Sequence, residues 1–125
     1  MGFLSDLKTA TKNATDRADQ ELETQKYKSA ISSAKSDNEK AYSEIGKLYY
    51  ENAKTPADDF DKKAKELIDR IDANLVTIEE NNKKIEESVA AHKAIRENNW
   101  AENEAEEARK KAEAEERAKA AKKEE

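Results

Sequence analysis

Small and apolar residues recur at alternating steps of three and four along two stretches of the chain. Ile31, Ala34, Asn38, Ala41, Ile45 and Leu48 keep this rhythm in the first stretch. Ala64, Ile68, Ile71, Leu75, Ile78, Asn82, Ile85, Val89 and His92 keep it in the second. A mean spacing of about 3.5 residues is that of a helix seated along a coiled-coil seam, not the 3.6 of a lone surface helix. Between the stretches lies one break, Ala53-Lys54-Thr55-Pro56-Ala57-Asp58-Asp59. Thr55 reads as an N-cap, Pro56 as the first residue of the following helix and Asp58 as the acid of a variant capping box. The pattern therefore predicts one helix ending near Ala53 and another starting near Pro56.

Two helices joined by so short a link fold back on each other as an antiparallel hairpin. With the turn centred on Thr55 and Pro56, facing residues have numbers that sum to about 112. Leu48 then meets Ala64, Ala41 meets Ile71 and Ala34 meets Ile78, small against large along the seam. Asn38 and Asn82 both fall on the seam, where a buried Asn fixes register at a cost in stability. Pairing them with each other requires a turn near Phe60, which is the competing register. The single histidine, His92, falls on the seam between Val89 and Ile95 and reads as a hydrogen-bonded interface residue.

Three segments differ in character. Residues 1–25 carry a thin stripe of Phe3, Leu4, Leu7, Ala10, Ala14, Ala18 and Leu22 and are expected to continue the first helix. Residues 26–100 form the coiled-coil hairpin. From 101 to 125 every residue is Ala, Glu, Lys or Arg except Asn103. This tail is helical on propensity and i,i+4 ion pairs, and is expected to be solvated and to fray beyond about residue 110. The fold class is all-α: an antiparallel coiled-coil hairpin with a long second helix, with dimerisation into a four-helix bundle as one way to cover any surplus apolar surface.

Composition narrows the function. Charged residues make up 42% of the 125 positions, hydrophobic residues 35%, and there are two glycines, one proline and no cysteine. Absence of cysteine excludes a disulfide framework, a thiolate metal site and a cysteine nucleophile, and one histidine alone cannot assemble a zinc site. A formal net charge of −5 is the wrong sign for a nucleic-acid binder. Asp58, Asp59 and Asp61 read as helix-start charges and Glu79, Glu80, Glu86 and Glu87 as an outer face, so no cleft holding catalytic carboxylates is foreseen. No enzyme activity, cofactor or small-molecule substrate is indicated.

What remains is surface. Gly46 sits inside a helical run at a cost of about 1 kcal/mol against Ala. Around it the apolar band widens to take in Tyr42, Tyr49, Tyr50, Phe60 and Leu67. Two readings stand side by side: the rings lie along their own hairpin, or they form an association patch for a second copy or another helical protein. A structural or protein-interaction role, as spacer or adaptor, follows from the second. The alternative is a peripheral membrane protein docking through Phe3, Leu4 and Leu7. Its start, Met1-Gly2-Phe3-Leu4-Ser5-Asp6, has Asp6 where a myristoylation motif has Ser or Thr, and too short an apolar run for a signal peptide.

The opening Met1-Gly2-Phe3-Leu4-Ser5-Asp6-Leu7-Lys8, the segment Ala41-Tyr42-Ser43-Glu44-Ile45-Gly46-Lys47-Leu48-Tyr49-Tyr50-Glu51 and the Pro-containing break together resemble the helical part of small bacterial zinc-ribbon proteins. The resemblance covers about residues 1–90, and Glu44 to Glu51 is its most distinctive piece. It implies a helical hairpin and a cytoplasmic location. The chain departs from that group in having no cysteine pairs, so neither ribbon nor zinc is implied.

Overall fold

The computed structural model describes residues 2–124. Met1, which opens the N-terminal motif, and Glu125, which ends the tail, lie outside the described residues. Two helices account for nearly everything: α1, Gly2–Lys54, and α2, Phe60–Glu124. They pack antiparallel as the all-α hairpin that the spacing predicts, and the first 25 residues continue α1 without interruption. The tail is helical to Glu124; Asn103 is buried, Glu107 half-buried and residues 108–123 exposed.

The turn is longer than the capping signals suggest. α1 ends at Lys54, one residue past the predicted stop, with the Thr55 N–H still donating to the Glu51 carbonyl at 2.8 Å. Pro56 has no N–H to extend the helix and disfavours helical geometry at Thr55. The next N–H, that of Ala57, is taken by Asn52 Oδ1 at 2.9 Å. α2 begins at Phe60, not near Pro56, and its first helical bond runs from the Lys63 N–H to the Asp59 carbonyl at 3.0 Å. The expectation that Thr55 caps α2 is thus corrected. Axes 8–10 Å apart need several non-helical residues to join them, and residues 55–59 serve that purpose. No residue of the turn needs a positive φ.

Contacts divide the chain into two compact units, Met1–Glu21 with Val89–Glu125, and Leu22–Ser88. In the Leu22–Ser88 unit the seam positions of α1, all buried or half-buried, are Thr24, Tyr27, Ile31, Ala34, Asn38, Ala41, Ile45, Leu48 and Asn52. They follow a seven-residue repeat. Ile31, Ala34, Ala41 and Ile71 are its buried apolar residues, and Thr24, Asn38 and Ser88 are its buried polar ones. The register is visible in Asn74 Nδ2, which donates to Asn38 Oδ1 at 2.8 Å. That pair lies on the sum of 112, so the register in which Asn38 meets Asn82 does not form.

On α2 the seam is rotated by one residue at every second step. The inward positions are Ala64, Leu67, Ile71, Asn74, Ile78, Asn81, Ile85 and Ser88. Ile68, Leu75 and Asn82, expected on the seam, are exposed. Asn82 is therefore not a seam residue; its neighbour Asn81 takes that place and donates from Nδ2 to the Thr77 carbonyl at 2.7 Å.

The other unit is held by a different seam. Its half-buried and buried positions are Gly2, Ser5, Thr9, Asn13, Asp16 and Gln20 on α1, with His92, Arg96, Asn99, Asn103 and Glu107 on α2. These follow an eleven-residue repeat: Gly2 to Asn13, Ser5 to Asp16, His92 to Asn103, Arg96 to Glu107. Such a repeat, about 3.67 residues per turn, stays on one face of an α-helix with no left-handed supercoil. The stripe of Phe3, Leu4, Leu7, Ala10, Ala14 and Ala18 is exposed and does not form the interface.

Candidate interaction surface

The polar seam of the first unit is a ladder of side-chain hydrogen bonds. Ser5 Oγ donates to Asn103 Oδ1, whose Nδ2 donates to Asp6 Oδ1 at 2.8 Å. Asn99 Nδ2 donates to Asn13 Oδ1 at 2.9 Å, and Asn13 Nδ2 to the Arg96 carbonyl at 3.3 Å. His92 Nδ1 lies 2.7 Å from Asp16 Oδ1, and Arg96 Nη1 bridges Asp16 Oδ2 at 3.1 Å and Gln20 Oε1 at 2.8 Å. These bonds answer the desolvation of the polar groups that the seam brings together. The His92 hydrogen bond, ahead of burial in the opposite sense, holds the Asp16 carboxyl below its ordinary value. Glu107 is pushed the other way, by burial first and then by the charge of Asp6. A Cβ on Gly2 would come within 2.9 Å of Glu107 Oε1, so the glycine makes room for that carboxylate.

His92 and its neighbours lie in the interface, not in a cleft. Among the described residues no group of three or more His, Cys, Asp or Glu converges to hold a metal ion. Leu4 and Leu7 line an open groove with Thr11, Thr15 and Ile95, and Phe3 is exposed as well. No helix among the described residues is long and apolar enough to cross a membrane.

The Leu22–Ser88 unit has two unlike flanks. Residues one position before the seam carry charge: Asp37, Glu44 and Glu51 on α1, Lys63, Arg70 and Lys84 on α2. Arg70 grips Asp37 with both ends of its fork, Nε to Oδ2 at 2.8 Å and Nη2 to Oδ1 at 2.6 Å, and reaches Glu44 with Nη1 at 3.3 Å. Asn74 Nδ2 adds a bond to Asp37 Oδ2 at 2.7 Å. Together the Arg70 and Asn74 bonds hold the Asp37 carboxyl far below the usual carboxylate range. Planar, two-point pairing of this sort sets geometry as well as charge.

Residues one position after the seam are different. Tyr42 and Tyr49 on α1 share this flank with Ile68 and Leu75 on α2, and they are 54%, 70%, 50% and 49% exposed. In an antiparallel pair these positions border the same side of the seam, so the four make one apolar strip. Tyr49 meets the half-buried Phe60 at 6.4 Å between ring centroids, tilted by 60°. Gly46 lies between Tyr42 and Tyr49 on the α1 surface, with nothing within 4 Å of the place a Cβ would occupy. No close approach inside the hairpin accounts for it.

Of the residues expected in an association patch, Tyr42, Gly46 and Tyr49 belong to this strip. Tyr50 points elsewhere and lies beneath Lys54, whose Nζ is 5.6 Å from the ring centroid. Leu67 is corrected to a seam residue, half-buried within the hairpin. Periodicity alone places Ile68 and Leu75, half of the strip, on the seam. The signal that distinguishes them is the adjacent pairs Leu67-Ile68 and Leu75-Val76, which make the apolar band of α2 too wide for one seam. Comparison with protein-family models, curated proteins and solved structures finds no match to this chain.

Proposed function

We propose that the chain is a non-enzymatic structural or protein-interaction coiled coil whose turn-proximal hairpin docks another helix along one flank. The observation that carries this reading is the asymmetry of the Leu22–Ser88 unit. One flank is closed by Arg70, Asp37 and Glu44, while the other leaves Tyr42, Tyr49, Ile68 and Leu75 about half or more exposed. Aromatic and aliphatic side chains clustered on one helix-pair flank are the raw material of helix–helix contact. The resemblance to the hairpin of small zinc-ribbon proteins supports a cytoplasmic setting. A photo-crosslinking side chain at position 42 or 75, read by mass spectrometry in the native host, tests the proposal. The same helical protein should be captured from both positions and not from position 44 or 63 on the charged flank. Capture that ignores the flank would refute it.

A second reading is favoured by a different observation, the exposure of Phe3, Leu4 and Leu7. Three adjoining apolar side chains at the start of a helix suit weak insertion into the headgroup region of a bilayer. Co-sedimentation with anionic vesicles, with and without Leu4→Asp and Leu7→Asp, decides this. Binding that the substitutions abolish supports membrane docking, and a chain that stays in the supernatant ends it.

A further inference from the structure

Building on the docking reading of the apolar flank, we infer that its occupant is a second copy of this chain, set with its turn at the same end so that α1 of each copy lies on α2 of the other. Charge is the first reason. On the α1 side of the flank, Lys28 and Lys35 follow the seam residues Tyr27 and Ala34, in line with Tyr42 and Tyr49. On the α2 side, Asp72, Glu79 and Glu86 stand one turn beyond Ile68, Leu75 and Asn82 and are exposed. One half of the flank is therefore basic and the other acidic, each beside its own apolar residues. Lys28, Lys35, Asp72 and Glu86 form no ion pair among the described residues; Glu79 has only a long contact to Lys83, at 3.9 Å.

Register supplies the second reason. With Asn38 level with Asn74, Lys35 is level with residues between Asp72 and Glu79, and Lys28 with residues between Glu79 and Glu86. A two-fold axis parallel to the helices lays α2 of the second copy over α1 at the same height. Each lysine then falls between two carboxylates of the other copy, Ile68 falls between Tyr42 and Tyr49, and Leu75 falls between Lys35 and Tyr42. An axis across the helices would set α2 on α2, with Asp72, Glu79 and Glu86 against their own kind. Isologous contacts require such self-complementarity, and only the first arrangement provides it. One like-charge meeting remains, Glu39 against Asp72 of the second copy.

Gly46 is the third reason. It leaves an open notch between Tyr42 and Tyr49, at the height where Ile68 of the second copy seats. The helix-propensity cost of this glycine has no return inside one hairpin and has one at a close helix–helix approach.

Sedimentation equilibrium on the full chain tests the inference. Lys28→Glu with Lys35→Glu makes both halves acidic, and Glu79→Lys with Glu86→Lys makes both basic. Each variant alone should dimerise at least about tenfold more weakly than the wild type, and an equimolar mixture should recover wild-type association. Mixing cannot alter charges within one hairpin, so recovery reports contact between copies. Gly46→Ala should raise the melting temperature of the dilute chain while weakening the dimer about tenfold, and Glu39→Lys should tighten it. A wild-type chain still monomeric at about 1 mM overturns the second-copy inference and leaves helix docking to the crosslinking result. A dimer indifferent to Tyr42→Lys and Leu75→Lys overturns the use of the flank itself. A dimer that those changes break but mixing does not restore overturns the α1-on-α2 pairing.

Discussion

Ile71 and Ala41 share a layer of the seam, and exchanging their sizes measures how closely that layer is packed. Ala41 is 0% and Ile71 7% exposed. The bond between Asn38 and Asn74, three residues away on each helix, puts them at the same height. Ile71→Ala removes three buried carbons, and at about 0.8 kcal/mol each the transfer loss is about 2.4 kcal/mol. Ala41 offers no atoms to refill the space, so a cavity term adds to the loss and the total is about 2.5–4 kcal/mol. Ala41→Ile alone overpacks the layer, at about 1–3 kcal/mol. The double variant returns the large side chain to the layer from the opposite helix and should recover at least half of the summed loss. Guanidinium titrations followed by circular dichroism, arranged as a double-mutant cycle, read the coupling directly. Purely additive losses would mean the two residues do not share a layer and would refute the 112 register.

Acid should weaken the hairpin. Asp16 and Asp37 have folded-state values below the ordinary 3.8, so their contribution is complete above that value and is lost as pH falls through the lowered ones. Asp37→Asn should lower the melting temperature at pH 7 and flatten its decline below about pH 4. Glu107 has the opposite sign. Its value is raised above 4.5, so its contribution is present below that pH and disappears as pH rises through the raised value. Glu107→Gln should therefore raise the melting temperature at pH 7 relative to the wild type, and the gain should vanish near pH 4. Replacing Asn38 and Asn74 together by Leu should stabilise the hairpin by about 1–3 kcal/mol while loosening its register. Interhelical spin-label distances should then broaden, and an unchanged narrow distribution would deny the asparagines that role.

Much of the architecture is legible in residue order. Pro56 can be placed because it lacks an N–H, and the long helices because helix breakers are so few. The α1 seam from Ile31 to Leu48 can be read because its apolar residues have no rival on neighbouring positions. The candidate flank is only half legible. Tyr42, Gly46 and Tyr49 stand out, but Ile68 and Leu75 satisfy the same three-and-four rhythm as Leu67 and Asn74, and hydrophobicity favours the wrong pair. Nothing in the order of the residues shows that Arg70 is bound by Asp37 or that Asn74 is held by both Asp37 and Asn38.

Local chemistry, then, was enough to specify two helices, one reversal and an approximate register, because each depends on backbone geometry or on spacing along a single strand of sequence. Which side of α2 turns inward, and whether a seam can be made of Ser, Thr, Asn, Asp and Gln, depends on what the facing helix offers. The polar seam of α1 pairs because Asn99, Asn103, His92 and Arg96 stand opposite its side chains. A hydrogen bond needs two partners at about 3 Å, and packing of the two helices brings them that close.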